Sequence, residues 1–500
     1  MLVVKVDVPH LEYDIHSLIK AFYPEENVKV LSPDTEKGEG GLVEHILNAQ
    51  PVTFYLSLTS QPAQLVYEDE KNGLTHCYTA VAPYDFEVSN GLLEKEDKNK
   101  FKQFLYLSLC DIHQKVLPWG NLTGIRPTKI AMTMLDEGKT DDDIRAFMKD
   151  NHFVSDEKTE LALDIAHREK ELLSPLHTKE GYSLYIGIPF CPTRCLYCSF
   201  TSNPICAFEK EVGHYMECLK KELLYVKEAF KDKTLDTVYI GGGTPTTLSA
   251  RQLDELIGFV EEHFDLSHLL EFTVEAGRAD SITEEKLQVL HDHRIDRISV
   301  NPQTMKDETL KLIGRQHSVE QVKDAYALAR RIGFANINMD IILGLPGEDE
   351  TDVTNTIEEI KKLDPDSLTV HSLAIKRASK LRAWIEENGV DCLNNTDKTM
   401  EIAAAGAKAM GMNPYYLYRQ KNMSGNFENV GYAKPGKYGV YNILIMEEVQ
   451  TIVACGAGTV TKRVYGNGRI ERCDNVKDVK LYMEKIDEMI ERKQKLFAEE

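Results

Sequence analysis

Three thiols fall within a single short loop of this chain, in Ile188-Pro-Phe-Cys191-Pro-Thr-Arg-Cys195-Leu-Tyr-Cys198-Ser-Phe. Thiolate is a soft ligand, and soft ligands select iron–sulfur clusters, zinc or copper. Three of them can hold three irons of a cubane cluster and leave the fourth iron free to chelate a small molecule. A structural zinc is the alternative. It takes four protein ligands, and Cys206 or Cys218 supplies a candidate for the fourth.

Five further stretches carry polar groups suited to a small ligand. Gly241-Gly-Gly-Thr244-Pro-Thr-Thr lets backbone approach closely and offers amides to a carboxylate, with Gly242, Gly243 and Thr244 as its candidate contacts. Glu275 ends Thr-Val-Glu, Gln303 ends Ser-Val-Asn-Pro-Gln, Arg315 sits in Gly-Arg-Gln-His, and Asp340 lies in Asn-Met-Asp-Ile-Ile. Carboxylates suit ribose hydroxyls or an ammonium group, and a guanidinium forks onto a carboxylate. One such residue is ordinarily a solvated or ion-paired side chain; a series of them is harder to dismiss.

These residues need a scaffold, and the apolar pattern describes one. Short apolar runs at Leu184–Ile188, Thr237–Ile240, Leu270–Glu275, Asp296–Val300, Ile337–Leu343 and Ser367–Val370 alternate with amphipathic stretches such as Glu209–Phe230 and Ala250–Phe264. Six strand–helix units predict an α/β part-barrel of parallel strands, (βα)6 in form, with chemistry on loops at the strand C-termini. Most of the polar motifs fall there. The expected division is an α+β accessory region over 1–175, the barrel over 180–415 and a short α/β extension over 416–500 packing on it. In the first region, strands are expected at Leu2–Val8, Val52–Leu58 and Leu65–Glu68, with a helix over His10–Phe22. Helical periodicity then runs from Leu93 to Leu173, broken over Leu117–Pro127. A final helix is expected over Val479–Phe497.

Composition narrows the function classes. Eighty acidic residues against 59 basic ones leave a net charge of −21, which disfavours nucleic acid and anionic lipid as partners. No run of about 18 apolar residues marks a membrane span, and Met1–His16 lacks a secretory pattern, so a cytoplasmic chain is expected. In that setting ten cysteines read as thiols rather than disulfides. Gly456-Ala-Gly458-Thr lacks the third glycine and the βαβ surroundings of a dinucleotide loop.

The cysteine spacing is similar to that of the radical S-adenosylmethionine (SAM) superfamily. The longer string is Tyr185-x-x-Ile-Pro-Phe-Cys191, Gly-Gly-Gly-Thr-Pro-Thr, Glu275, Gln303, Arg315-Gln, Asp340-x-Ile-x-Gly-Leu-Pro and Leu363-x-Pro-x-x-Leu-Thr-Val. It resembles the oxygen-independent coproporphyrinogen III oxidases, or coproporphyrinogen dehydrogenases, and the long N-terminal region looks like their HemZ-type members. The resemblance implies a [4Fe–4S] cluster on Cys191, Cys195 and Cys198, and one SAM or two. It implies an electron donor such as flavodoxin or ferredoxin, and a 5′-deoxyadenosyl radical that takes hydrogen from substrate. By it Tyr185 sits beside the cluster as a catalytic residue; read alone, Tyr185 is equally a core aromatic. Gly242, Gly243 and Thr244 then meet the SAM methionine, while Glu275, Gln303, Arg315 and Asp340 line the rest of its site. The implied reaction turns two propionates of coproporphyrinogen III into vinyl groups, giving protoporphyrinogen IX in porphyrin and haem biosynthesis.

Two departures bear on the second SAM and on proton handling. The well-studied oxidases carry a His where this chain has Gly187, and a fourth Cys where it has Phe200. A haem-chaperone branch carries a His-Asn-x-x-Tyr-Trp string where this chain reads Arg419-Gln-Lys-Asn. A haem-binding protein and a haem-modifying radical enzyme stand as the alternatives. A tetrapyrrole with four propionates asks for focused positive charge in an acidic molecule. Lys376, Arg377, Arg419 and Lys421 are the candidates, and ordinary surface cations are the competing explanation.

Overall fold

The computed structural model describes residues 1–500 apart from 25, 39–52, 72–73, 90–91, 95, 125, 377–378, 390–392, 420–426, 467 and 499–500. Two compact units make up the chain, Met1–Leu163 and Asp164–Glu500, and the boundary falls inside the helix Asp156–Leu172.

The first unit is built on a five-stranded sheet in the order Val28–Leu31, Leu2–Val6, Phe54–Ser57, Gln64–Lys71, Leu74–Val81. Leu2–Val6 pairs in parallel with both neighbours, and the last three strands run antiparallel. Helix Glu12–Phe22 buries Ile15, Leu18 and Ile19, and helix Asp97–His113 buries Phe101, Phe104 and Leu105, in one apolar cluster with Val4, Val6, Phe54 and Leu65. The expected strand Val52–Leu58 begins outside the described residues; its described part is Phe54–Ser57. Val28–Leu31 and Leu74–Val81 were not expected: the first is only four residues long, and exposed polar residues such as His76 and Thr79 break up the second.

The second unit carries an 11-stranded sheet. Its strands in chain order are β1 Gly181–Ile188, β2 Thr234–Gly242, β3 Glu271–Gly277, β4 Arg297–Val300, β5 Ile337–Leu343 and β6 Ser367–Ser372, then β7 Asn413–Tyr418, β8 Asn429–Ala433, β9 Ile452–Cys455, β10 Val460–Val464 and β11 Ile470–Asp474. Strands β1 to β6 lie side by side and parallel, the six expected from the sequence. The spatial order is β7-β8-β6-β5-β4-β3-β2-β1-β9-β10-β11, an open arc rather than a closed ring. Residues 416–500 are woven into it. β8 runs antiparallel to β6, and β9 adds a seventh parallel strand beside β1.

Helices between the strands start where side chains accept the first free amides. Ser249, Ser318, Asp349 and Thr396 each form a reciprocal capping box with the residue three places on. Each opens an amphipathic helix whose apolar stripe is buried, as with Leu253, Leu256, Ile257 and Val260. The expected last helix over Val479–Phe497 is two helices, Val479–Glu484 and Ile486–Ala498, because Lys485 leaves helical geometry at φ −113°, ψ 27°.

Strand alternation sorts the sheet into two unlike faces. One face carries Leu184, Ile186, Val238, Ile240, Val274 and Ile298, all fully buried. The other is polar and cross-linked by hydrogen bonds: Thr237 to Ser183, Tyr239 to Glu275, Arg297 to Ser367 and Asn338 to Asp340. Helix Val440–Glu447 closes one end of this polar face. Its Val440 amide donates to Glu271, and its Tyr441 ring stacks on Tyr239 at 4.5 Å. The opposite end, where the strands finish, stays open.

Candidate active site

At that open end the C-termini of β1 to β6 surround a cavity of about 390 Å³, within the range of small-molecule sites. Cys191, Cys195, Cys198, Tyr185, Gly242, Gly243, Thr244, Glu275, Gln303, Arg315, Asp340 and Lys376 all line it. Arg419 does not: it is buried at 4% exposure, with Glu428 as its neighbouring charge, and burial lowers its pKa to about 10. Arg419, a candidate for a substrate carboxylate with an ordinary surface cation as the competing explanation, is thus neither on the surface nor among the residues lining this cavity. Arg377 and Lys421 lie outside the described residues.

The cysteine loop follows β1, which ends at Ile188, and is locked by the glycine loop after β2. Gly243 donates its amide to Ile188 O at 2.7 Å, and Thr244 donates to Phe190 O at 2.7 Å. A Cβ on Gly243 would stand 2.4 Å from Phe190 O and 3.0 Å from Cys191 Sγ, so only glycine allows this approach. Gly242, at φ +112°, makes the turn. Gly187, where the resembled oxidases have His, has no room for a side chain, because Thr459 Cγ2 would sit 2.4 Å from its Cβ. Gly456-Ala-Gly458 is thus a buttress against the end of β1. Gly456 takes a φ of +105° to pass the Gly187 carbonyl.

The thiols fit a cluster better than a zinc ion. All three are free and share one wall, while neither Cys206 nor Cys218 lines the cavity. Cys218 Sγ instead faces Met483 O at 3.8 Å. Among the described residues no three His, Cys, Asp or Glu side chains converge as a single-ion site requires. Burial pushes the Cys191 thiol up to about 11, with Cys198 and Cys195 adding to the shift and Thr244 and Arg278 opposing it. Uptake of a cluster as thiolates therefore releases protons.

Groups suited to SAM stand on the neighbouring strands, and several are buried without a partner. Gln303 Oε1, Asn301 Oδ1 and Arg315 Nε have no hydrogen bond among the described residues. Such an orphan costs about 1–3 kcal/mol unless a ligand satisfies it. Gln303 also holds a left-handed φ of +68°, pinned by Gln303 N to Asp340 O and Ile342 N to Gln303 O, each 2.9 Å. Arg315 is fixed by donating to Asn301 O at 2.6 Å and to the Tyr197 hydroxyl at 3.3 Å.

The two carboxylates differ in charge state. Burial lifts Glu275 to about 7 despite the hydrogen bond from Tyr239 at 2.5 Å, and nearby Asp340 adds to the lift. Burial acts on Asp340 in the same sense. The His371 ring at 3.9 Å and the Asn338 amide at 2.7 Å outweigh it and hold Asp340 below the ordinary carboxylate value. Tyr185 stacks between these groups and the closed end, its ring 5.9 Å from Tyr239 and 6.0 Å from Tyr441. Burial pushes its phenol well up, so it stays protonated.

Several lining residues were not singled out from sequence. Arg278 and Asn301 adjoin the cysteine loop and the SAM candidates, Tyr197 lies within that loop, and His371 and Asn429 line the same cavity. Tyr197 sits inside the cysteine motif and His371 one residue past a motif, which were the available signals. Nothing local marked Arg278 or Asn429.

A family model described as the radical SAM superfamily matches residues 185–360. Over 454 residues the chain is 43% identical to the oxygen-independent coproporphyrinogen-III oxidase-like protein HemZ of Bacillus subtilis (strain 168), covering 89% of this chain and 90% of that protein. It is 38% identical over 240 residues to the haem chaperone HemW of Lactococcus lactis, covering 48% of this chain and 61% of that one. Among solved structures, the coproporphyrinogen III oxidase (HemN) from Escherichia coli, a radical SAM enzyme, matches with a TM-score of 0.49 and 20% identity over 64% of this chain and 72% of that one.

Proposed function

The chain belongs to the oxygen-independent coproporphyrinogen-III oxidase-like family of radical SAM proteins, and from that membership we propose that it decarboxylates coproporphyrinogen III propionates to vinyl groups without oxygen, giving protoporphyrinogen IX. The family's cofactors are a [4Fe–4S] cluster and SAM. When bound, they supply a carbon-centred radical able to abstract hydrogen. Each propionate loses a hydrogen atom, CO₂ and one electron, the last to an acceptor outside the chain.

One observation carries the reading: a single cavity is lined by the three cysteines, the SAM candidates and Lys376. Lys376 has no anionic partner among the described residues, and burial lowers its pKa. In a protein of charge −21 an uncompensated cation beside a reaction site suits a substrate carboxylate. Cys191, Cys195 and Cys198 would hold the cluster, and the Gly242–Thr244 backbone would meet the methionine carboxylate. Asp340, ionised, accepts hydrogen bonds from ribose hydroxyls or the ammonium group. Glu275 accepts a hydrogen bond from the Tyr239 hydroxyl. Tyr185, kept neutral, walls the cavity toward the closed end beside Tyr239 and Tyr441. The test is an anaerobic assay with SAM, a low-potential reductant and coproporphyrinogen III. 5′-Deoxyadenosine with CO₂ and a vinyl product supports the reading, and SAM cleavage without CO₂ overturns it.

A second reading rests on His371, which lines the same cavity. Imidazole is a common axial ligand of haem iron. If the protein carries haem, His371→Ala abolishes a haem absorption band that forms without SAM. If it decarboxylates, that substitution leaves haem uptake absent in both forms and changes turnover.

A further inference from the structure

Arg278 belongs to no motif, yet it reaches the cysteine loop from the end of β3. The side chain is 3% exposed. Its Nη1 donates to Thr193 O at 3.0 Å, to Thr193 Oγ1 at 2.8 Å and to Cys195 Sγ at 3.7 Å. The other edge of the guanidinium forks onto Asp280, Nε to Oδ1 at 2.9 Å and Nη2 to Oδ2 at 2.5 Å. Asp280 in turn faces His317 Nδ1 at 3.5 Å. A cation, its counter-ion and a histidine thus stand in line behind one cysteine sulfur, the first two on the loop after Gly277 and His317 brought to them from beyond Arg315.

We propose that Arg278 is a positioning residue that sets the reduction potential of the cluster on Cys191, Cys195 and Cys198, with Asp280 setting how much of its charge the sulfur feels. Adding an electron makes the cluster sulfurs more negative. An N–H donor and a buried positive charge at Cys195 stabilise that reduced form, which raises the potential. Asp280 opposes this by partly neutralising the guanidinium. Burial would raise the Asp280 carboxyl, but His317 and Arg278 more than reverse it, so the counter-charge is permanent. The fork also aims Nη1, since two bonds to one carboxylate fix the plane of the guanidinium. The inference rests on the cluster and is independent of the substrate, so failure to release CO₂ leaves it standing.

The test is a redox titration of the anaerobically reconstituted full-length protein without SAM, followed by electron paramagnetic resonance, with iron and sulfide content measured beside it. In Arg278→Gln the reduced-to-oxidised ratio at a fixed applied potential falls about tenfold, a shift of about 59 mV to the negative for one electron. In Asp280→Asn the shift is in the opposite sense, because the guanidinium is left uncompensated. A clasp that merely holds the loop would not give opposite signs. An unchanged potential in Arg278→Gln at full cluster content, or shifts of the same sign in both variants, overturns the proposal. If Arg278→Gln holds no cluster, Asp280→Asn decides alone: a positive shift supports it, and none or a negative one overturns it. Loss of the cluster in both variants also overturns it, since the pair is then structural only.

Discussion

Around the cavity, the arc from β1 to β3 and the arc from β5 to β8 are built differently. The first delivers its groups as contiguous strings: three thiols on one loop, three glycines and a threonine on the next, Glu275 at the end of β3. Backbone contacts lock these strings together, and Gly243 has no room for even a methyl group. The second arc contributes single residues from separate segments, Asp340, His371, Lys376, Tyr418 and Asn429. His371 meets its neighbours only at 3.9 Å (Asp340) and 3.5 Å (Tyr418). A cluster and SAM are invariant ligands and reward rigid, close backbone. A substrate held at its periphery asks only for a few well-placed charges, which different segments can supply.

The largest effect that would break this contrast lies in the first arc. Cys198→Ala, reconstituted without oxygen, should lose the broad absorption near 400 nm (about the value typical of such clusters) along with its iron and sulfide. Exposed Cys77 is the control, and its alanine variant should keep full content. Full iron and sulfide in Cys198→Ala would remove the cluster from this arc.

Arg419 tests the boundary of the second arc. Because it is buried near Glu428, Arg419→Glu sets two carboxylates together out of water and should cost about 3–5 kcal/mol of stability. Thermal melting measures this. A variant that melts like the parent but shows a raised KM for coproporphyrinogen would return Arg419 to the substrate side.

The arcs should meet at SAM. Glu275→Ala and Asp340→Ala should each weaken SAM binding by about 1–3 kcal/mol, the usual loss for a charged hydrogen bond, without loss of cluster. Calorimetry under argon decides, and unchanged affinity in both removes them from the site. They should differ in pH dependence. The folded Glu275 carboxyl titrates near 7, above its ordinary value, so it takes up a proton as pH falls through that point. Affinity that depends on the ionised form then falls as pH drops from about 8 to about 6, and Glu275→Gln should flatten the profile. Asp340, held low, should contribute evenly over that range.

Lys376→Glu sharpens the contrast at the smallest scale. It should raise KM for coproporphyrinogen about tenfold, near 1.4 kcal/mol, through a lost contact with carboxylate. SAM cleavage in the absence of substrate should stay at the parent rate. A fall in that basal cleavage would show the second arc supporting the cofactors as well.

By itself the sequence determined the six parallel strands, through their apolar period, and the cysteine and glycine loops, because each is a contiguous string whose chemistry follows from residue type and spacing. Glu275, Gln303, Arg315 and Asp340 were picked out as polar residues in the motifs that accompany successive strands, and all four line the one cavity. The tertiary structure alone decided what met across that rim. The cation behind Cys195, the hydrogen bond from Tyr239 to Glu275, the Tyr441 ring at the closed end and β9 beside β1 all join segments far apart in the chain. Lys376 and Arg419 show the same limit: both are cations after a strand, one lining the cavity and one buried away from it. Periodicity tells which face of its own element a side chain takes, but not which distant element covers that face, and the covering element sets burial, charge state and partner.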